Sequence, residues 1–224
     1  MYSNSYDTIY TEMAQRNIKA FLESGNIYDA NTYWRNRQHC MAIVAKGEWW
    51  LHPCLYQFMT ETDTYVNPVL HHTFLVVRPW REQEYTIEGD KDGFPELIQD
   101  IRECGLQKYV VFFDRLILTP TSLLMVGRPT RHINAWRDKL RQFQKDRGII
   151  SGELYYNNIA HATLLRWTKE LTPRQRFKIA SLVERINREN NRLATLHVFG
   201  YDIMNASWLL KEATAKSLYS EYLP

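Results

Sequence analysis

The sequence predicts an α+β domain built on antiparallel sheet. Three observations predict it. Helix-like and strand-like apolar patterns alternate irregularly along the chain rather than in a strict β-α-β rhythm. Several strand candidates stand next to one another with only short turns between them. The chain has 224 residues, 45% apolar and 24% charged, enough to bury a sizeable core in ordinary globular fashion.

The elements follow in order. Residues 5–24 carry a loose helical stripe of Ile9, Met13, Ile18 and Phe21, with Gly25 to end it. Residues 26–38 are polar and irregular. Cys40 to Ala45 is an apolar run fit for a short strand, and Trp49 to Met59 suggests a short helical or capping segment. The run VLHHTFLVVR at 69–78 reads as one strand, rich in β-branched residues. Residues 80–93 read as a loop. A helix is expected over 94–104, with Gly105 as its C-terminal cap. Strands over 108–118 and 122–127 flank Thr119-Pro120-Thr121 as a near-hairpin. Helix 131–147 carries Ile133, Trp136, Leu140 and Phe143 at three- and four-residue steps, closed by Gly148. The run NIAHATLLRW at 158–167 is a strand. Helix 172–191 opens with Thr172 as N-cap and Pro173 in its first turn. Strands near 194–203 and 207–211 come last, followed by a polar tail.

Bulk properties limit the function classes. The net charge of +3 tolerates an anionic ligand without pointing to one. Cys40, Cys54 and Cys104 are odd in number and lack metal-site spacing, so they read as reduced thiols and the expected location is cytoplasmic. No run approaches the ~20 apolar residues of a membrane span, and the N-terminus has no signal pattern. His39, His52, His132 and His197 show no metal spacing, so neither metal nor cofactor is expected. The basic residues Arg131, Arg137, Lys139, Arg141, Lys145 and Arg147 read as a solvated helix face.

The chemistry lies in two matching tetrads, His71-His72-Thr73-Phe74 and His161-Ala162-Thr163-Leu164. In a strand, residues i and i+2 share a face. His71 therefore sits beside Thr73, and His161 beside Thr163, with Phe74 and Leu164 as anchors on the opposite face. Two such strands would gather two imidazoles and two hydroxyls around one small anion. One neutral imidazole can take a proton and the other, protonated, can give one. The hydroxyls can hold nonbridging phosphate oxygens. His72 shares a face with Phe74, so its expected role is buried and structural. Arg166 points away from His161 in a regular strand and reaches phosphate only if that strand bends. Tyr155, Tyr156 and Trp50 are candidates for base stacking or phosphate contacts.

These residues resemble the 2H phosphoesterases, the LigT-like and cyclic-phosphodiesterase superfamily, whose hallmark is two H-x-[ST]-hydrophobic strands. HATLLR is similar to that family's H-x-T-L-x-R form, ending on Arg166. The similarity spans roughly residues 40–211. One departure is Ala160, where the family usually has proline. The resemblance implies a bilobal fold, two antiparallel sheet lobes flanked by helices around a central cleft. Residues 1–38 would be an N-terminal helical extension and 39–224 a single bilobal domain. It implies His71 and His161 as the acid/base pair and Thr73 and Thr163 as phosphate binders. It also implies metal-independent phosphodiester chemistry on a nucleotide, cyclic nucleotide or short RNA.

Overall fold

The computed structural model describes residues 3–26, 39–62, 66–90, 93–149, 152–153, 158–207 and 216–224. Five helices and eight strands make up the α+β fold among them: α1 (Ser3–Glu23), β1 (His39–Leu51), α2 (Pro53–Thr62), β2 (Val66–His71), β3 (Thr73–Arg81), α3 (Phe94–Cys104), β4 (Tyr109–Leu118), β5 (Ser122–Pro129), α4 (Ile133–Asp146), β6 (Ala160–Trp167), α5 (Pro173–Glu189), β7 (Ala194–Ser207) and β8 (Lys216–Tyr222). No helix among the described residues is long and apolar enough to cross a membrane.

Helix ends obey local chemistry. Thr172 caps α5 in a reciprocal box with Gln175, and Pro173 fills the first turn. Gly105 ends α3 in the left-handed region, φ 74°, where only glycine sits without strain. Three local expectations change. The expected strand at 69–78 is two strands, broken at His72. The segment at Trp49–Trp50 continues β1, because cross-strand pairing with β7 outweighs its local pattern. The polar tail contains β8, which pairs with β7 and packs Leu218 and Tyr219 against the main core.

The strands form one antiparallel path, β2-β6-β5-β4-β7-β1-β3, with β8 also on β7. The two halves meet where Tyr109 to Phe113 of β4 pair with Val198 to Ala194 of β7. The ends of this path, β2 and β3, are consecutive in the chain and separated only by His72. The sheet is therefore bent back so that its two ends meet. One face carries the main core, including Met41, Ile43, Phe74, Leu75, Phe113, Met125, Ala162, Leu164, Leu165 and Trp167. Two smaller clusters cover parts of the other face. Cys40, Ala42, Val44 and Ala206 form one, and Tyr10, Ile117 and Val126 the other.

α1 is bound tightly to the domain. Phe21 is fully buried and packs on Trp167 with ring centroids 5.3 Å apart. Asp7 and Asp114 both pair with Arg128. The Tyr10 hydroxyl donates to Gly127 O at 2.7 Å and accepts from Ala160 N at 3.2 Å. Gly127 and Ala160 are cross-strand partners of β5 and β6, so a side-chain hydroxyl bridges the two strands one residue before His161.

His72 ties the ends of the sheet together. Its carbonyl accepts from Ala45 N of β1 at 2.9 Å. Its Nδ1 lies 2.6 Å from the carbonyl oxygen of His161 on β6. A carbonyl only accepts, so Nδ1 carries the proton. The ring is fully buried, edge-on to Tyr109 and Phe113. Burial first, then the charges of Arg137 and His71, push its pKa from 6.5 to about 3, against the His161 carbonyl bond, which raises it.

Both sets of bonds can be tested. Tyr10→Phe leaves a buried carbonyl and N–H unpaired and should cost about 1–3 kcal/mol of stability, read as a lower urea midpoint. For His72 the neutral form is favoured in the fold, so its contribution is complete above pH 6.5 and is lost as pH falls toward 3. Stability should fall over this window by about 1.4 kcal/mol per pH unit for each such histidine. His72→Gln should flatten that slope in urea melts at pH 4–7; an unchanged slope would reject the assignment.

Candidate active site

The two tetrads meet along the seam between β2–β3 and β6. His71 is the cross-strand partner of Thr163, and this is the last ladder pair before β2 ends. One residue on, the seam is spanned by the His72 imidazole reaching His161 O. Further along, the Arg137 guanidinium spans it. Nε donates to Phe74 O of β3 at 2.7 Å, and Nη1 donates to Ile159 O, just before β6, at 2.8 Å. The strands thus diverge from direct contact, to one imidazole wide, to one guanidinium wide.

Register places the side chains. Directly opposed residues of an antiparallel pair point to the same side. His161 opposes Val126 and Thr163 opposes Leu124, so both point away from the main core. Thr73 opposes Val44, on the same far side. His71, Thr73 and His161 are part exposed, and Thr163 is 4% exposed. His71 faces Thr163, so His161 lies roughly 6–7 Å farther along β6, two residues on. The structure therefore brings all four residues of the expected site to one seam. Phe74 and Leu164 lie in the main core as anchors.

Arg166 joins them. The ladder from β5 to β6 slips by one residue at Leu164: Leu123 pairs with Leu165 but Leu124 with Thr163. This bulge resets the alternation. Ala162, Leu164, Leu165 and Trp167 all enter the main core, and Arg166, part exposed, returns to the side of His161 and Thr163. Its charge is felt at His161. The expectation that Arg166 points away rested on a regular strand, and the bulge removes that premise.

His161 is part exposed, but its Nδ1 is enclosed and has no hydrogen-bond partner among the described residues. That leaves Nε2 as the nitrogen open to a ligand. Burial, followed by the charges of His72, Arg137, His71 and Arg166, pushes its pKa from 6.5 to about 3. At neutral pH this ring is a neutral imidazole, with one N–H and one acceptor nitrogen.

Other candidates fare differently. Trp50 is 48% exposed on the same side of β1 as Val44, but six residues along, roughly 20 Å away. It is not brought to the four. Its neighbour Trp49 stacks on Phe113, which lies edge-on to His72. Tyr155 and Tyr156 lie outside the described residues. Among the described residues, no cluster of three or more His, Cys, Asp or Glu side chains could hold a metal.

Arg137 is the residue that sequence reasoning misplaced. It is fully buried, not part of a solvated face. Its position carried the signal: Ile133, Arg137, Leu140 and Gln144 recur at four- and three-residue steps and together form the buried stripe of α4. Gln144 serves β3 in the same way, donating to Val77 O at 3.0 Å.

No protein-family model and no curated protein sequence matches the chain. Solved structures similar to it include the following two. One is E. coli LigT complexed with 3′-AMP, 14% identical, with 83% of this chain and 98% of that chain covered and a TM-score of 0.47. The other is the protein TT0787 of Thermus thermophilus, 14% identical, with 82% of this chain and 97% of that chain covered and a TM-score of 0.44.

Proposed function

We propose that the chain is a phosphodiesterase of the 2H type, cleaving a ribose-linked phosphodiester without a metal. The observation that carries this reading is the opposition of His71 and Thr163 across β2 and β6, with His161 beside them on the same side. Two imidazoles and two hydroxyls at one seam supply both proton transfers and a cradle for phosphate oxygens. Arg166 adds a cation on that side.

His161, neutral at physiological pH, takes the proton from the ribose hydroxyl beside the scissile bond. That oxygen bonds to phosphorus as the bond to the departing oxygen breaks, and His71 protonates the leaving group. The product is a cyclic phosphate. When the substrate is already a 2′,3′-cyclic phosphate, water attacks in place of the hydroxyl. Thr73 and Thr163 donate to the nonbridging oxygens in either case. Candidate substrates are 2′–5′ and 3′–5′ oligonucleotides, cyclic oligonucleotide messengers and 2′,3′-cyclic phosphates. Destruction of a nucleotide immune signal is one role such chemistry would serve, in the cytoplasm.

A second reading is a catalytically silent module that binds RNA or a nucleotide in the same cleft. One observation favours it: His161 Nδ1 has no partner among the described residues, whereas an acid/base imidazole is ordinarily oriented by one.

The test is turnover of that substrate panel in EDTA. His71→Ala and His161→Ala should each lower kcat by about 10²–10⁴-fold, and Thr73→Val or Thr163→Val by about 10–10³-fold. Binding without turnover by the wild type would select the silent module. Turnover that survives both histidine substitutions would reject the site. The profile of kcat/KM against pH should be bell-shaped. Because His161 is held below 6.5, its acid limb should fall below pH 6. A limb at or above 6.5 would place the base elsewhere.

A further inference from the structure

Arg137 is a buried cation in an unusual setting. A buried guanidinium is costly unless it is paired and hydrogen-bonded. Three bonds hold it, to Phe74 O, to Ile159 O and to Asn134 Oδ1 at 2.9 Å. All three acceptors are neutral. Asn134 itself donates to Asn158 O at 2.7 Å, fixing the same approach to β6. Among the described residues no carboxylate forms an ion pair with Arg137, and its Nη2 is enclosed with no partner. The acid whose charge reaches it, Glu153, is engaged by Arg141 at 2.7 and 2.9 Å.

One of the two backbone carbonyls it binds belongs to β3 and the other to the residue that leads into β6. Phe74 directly follows Thr73, and Ile159 precedes His161 by two residues. One rigid planar group therefore sets the spacing between the tetrads where the ladder has ended. A lysine could not do this, because its single ammonium lacks the planar fork that reaches two divergent carbonyls from fixed positions.

Resting on the function proposed above, we propose that Arg137 is the positioning residue of the site: it locks the two His-x-Thr strands in one geometry, and its uncompensated charge makes the cleft attractive to an anion. The charge of Arg137 is felt at both His72 and His161, where it lowers the pKa of each. The other groups acting on His161 are His72, His71 and Arg166, all basic. A phosphate entering beside His161 would supply the negative charge that this set lacks.

The experiment compares Arg137→Lys and Arg137→Met with the wild type. It measures the Kd of 3′-AMP and of adenosine by calorimetry, the protonation of His161 by NMR from neutral pH down toward about 3, and kcat on any substrate turned over. Arg137→Met should weaken 3′-AMP about tenfold and leave adenosine within about twofold, and the His161 midpoint should rise from its wild-type value. Arg137→Lys should lower kcat by about 10–100-fold while 3′-AMP affinity falls less, because one ammonium cannot hold the two divergent carbonyls in place. If both variants lose only thermal stability, with affinity, titration and kcat as in the wild type, Arg137 is merely structural and the proposal fails. Failure of the wild type to bind 3′-AMP overturns the anion part. If the methionine variant does not fold, the split between Kd and kcat in the lysine variant decides. Absence of turnover by the wild type would reject the phosphodiesterase reading instead, and the binding and titration data would still judge Arg137.

Discussion

The fold depends on how it closes a seam that its own backbone cannot close. β2 and β6 pair directly at His71 and Thr163, and then the strands separate. Every buried carbonyl along the widening gap needs a donor, because an unpaired buried polar group costs about as much as a hydrogen bond contributes, or more. The chain answers with side chains of increasing span. The His72 ring serves His161 O, and the Arg137 fork serves Phe74 O and Ile159 O. The same divergence sets the two tetrads apart, with the buried His72 and Arg137 side chains between their strands.

The elements around the seam are arranged to hold it. α4 presents Arg137 and Gln144 on its buried stripe, both directed to carbonyls of β3, the strand at one end of the sheet path. Gly152 presses against Arg78 O farther along the same strand, where any Cβ would collide with backbone. α1 reaches the opposite flank, with the Tyr10 hydroxyl between Gly127 and Ala160. His161 is therefore steadied by three distant parts of the chain. Its Nε2 edge stays accessible while its Nδ1 edge is enclosed, and this asymmetry sets which nitrogen can meet a ligand.

Much was legible in the sequence because it depends on period alone. The alternation of a strand places His71 with Thr73 and His161 with Thr163, and it sends Phe74 and Leu164 into the core. Helices α3, α4 and α5 announce themselves by stripe and cap, as at Thr172 and Gly105. Illegible features depend on partners far away in the chain. Nothing local separates β2 from β3 at His72, since the break exists because the two halves pair with different strands, β6 and β1. The bulge at Leu164 that turns Arg166 toward His161 is likewise a mismatch with β5, invisible in β6 itself. The strand β8 lies in a segment with little apolar pattern and is made by the free edge of β7.

The sequence by itself determined which side chains of the two tetrads share a face, because a two-residue period and two matching tetrads decide it. The tertiary structure decided how those groups are held and in what electrical state. His72 became a link between sheet ends and Arg137 a buried clamp only when carbonyls from Phe74, Ile159 and His161 were brought within reach. Those bonds span 63, 22 and 89 positions of chain. Local propensity carries no information at such separations; the closing of the sheet supplies it.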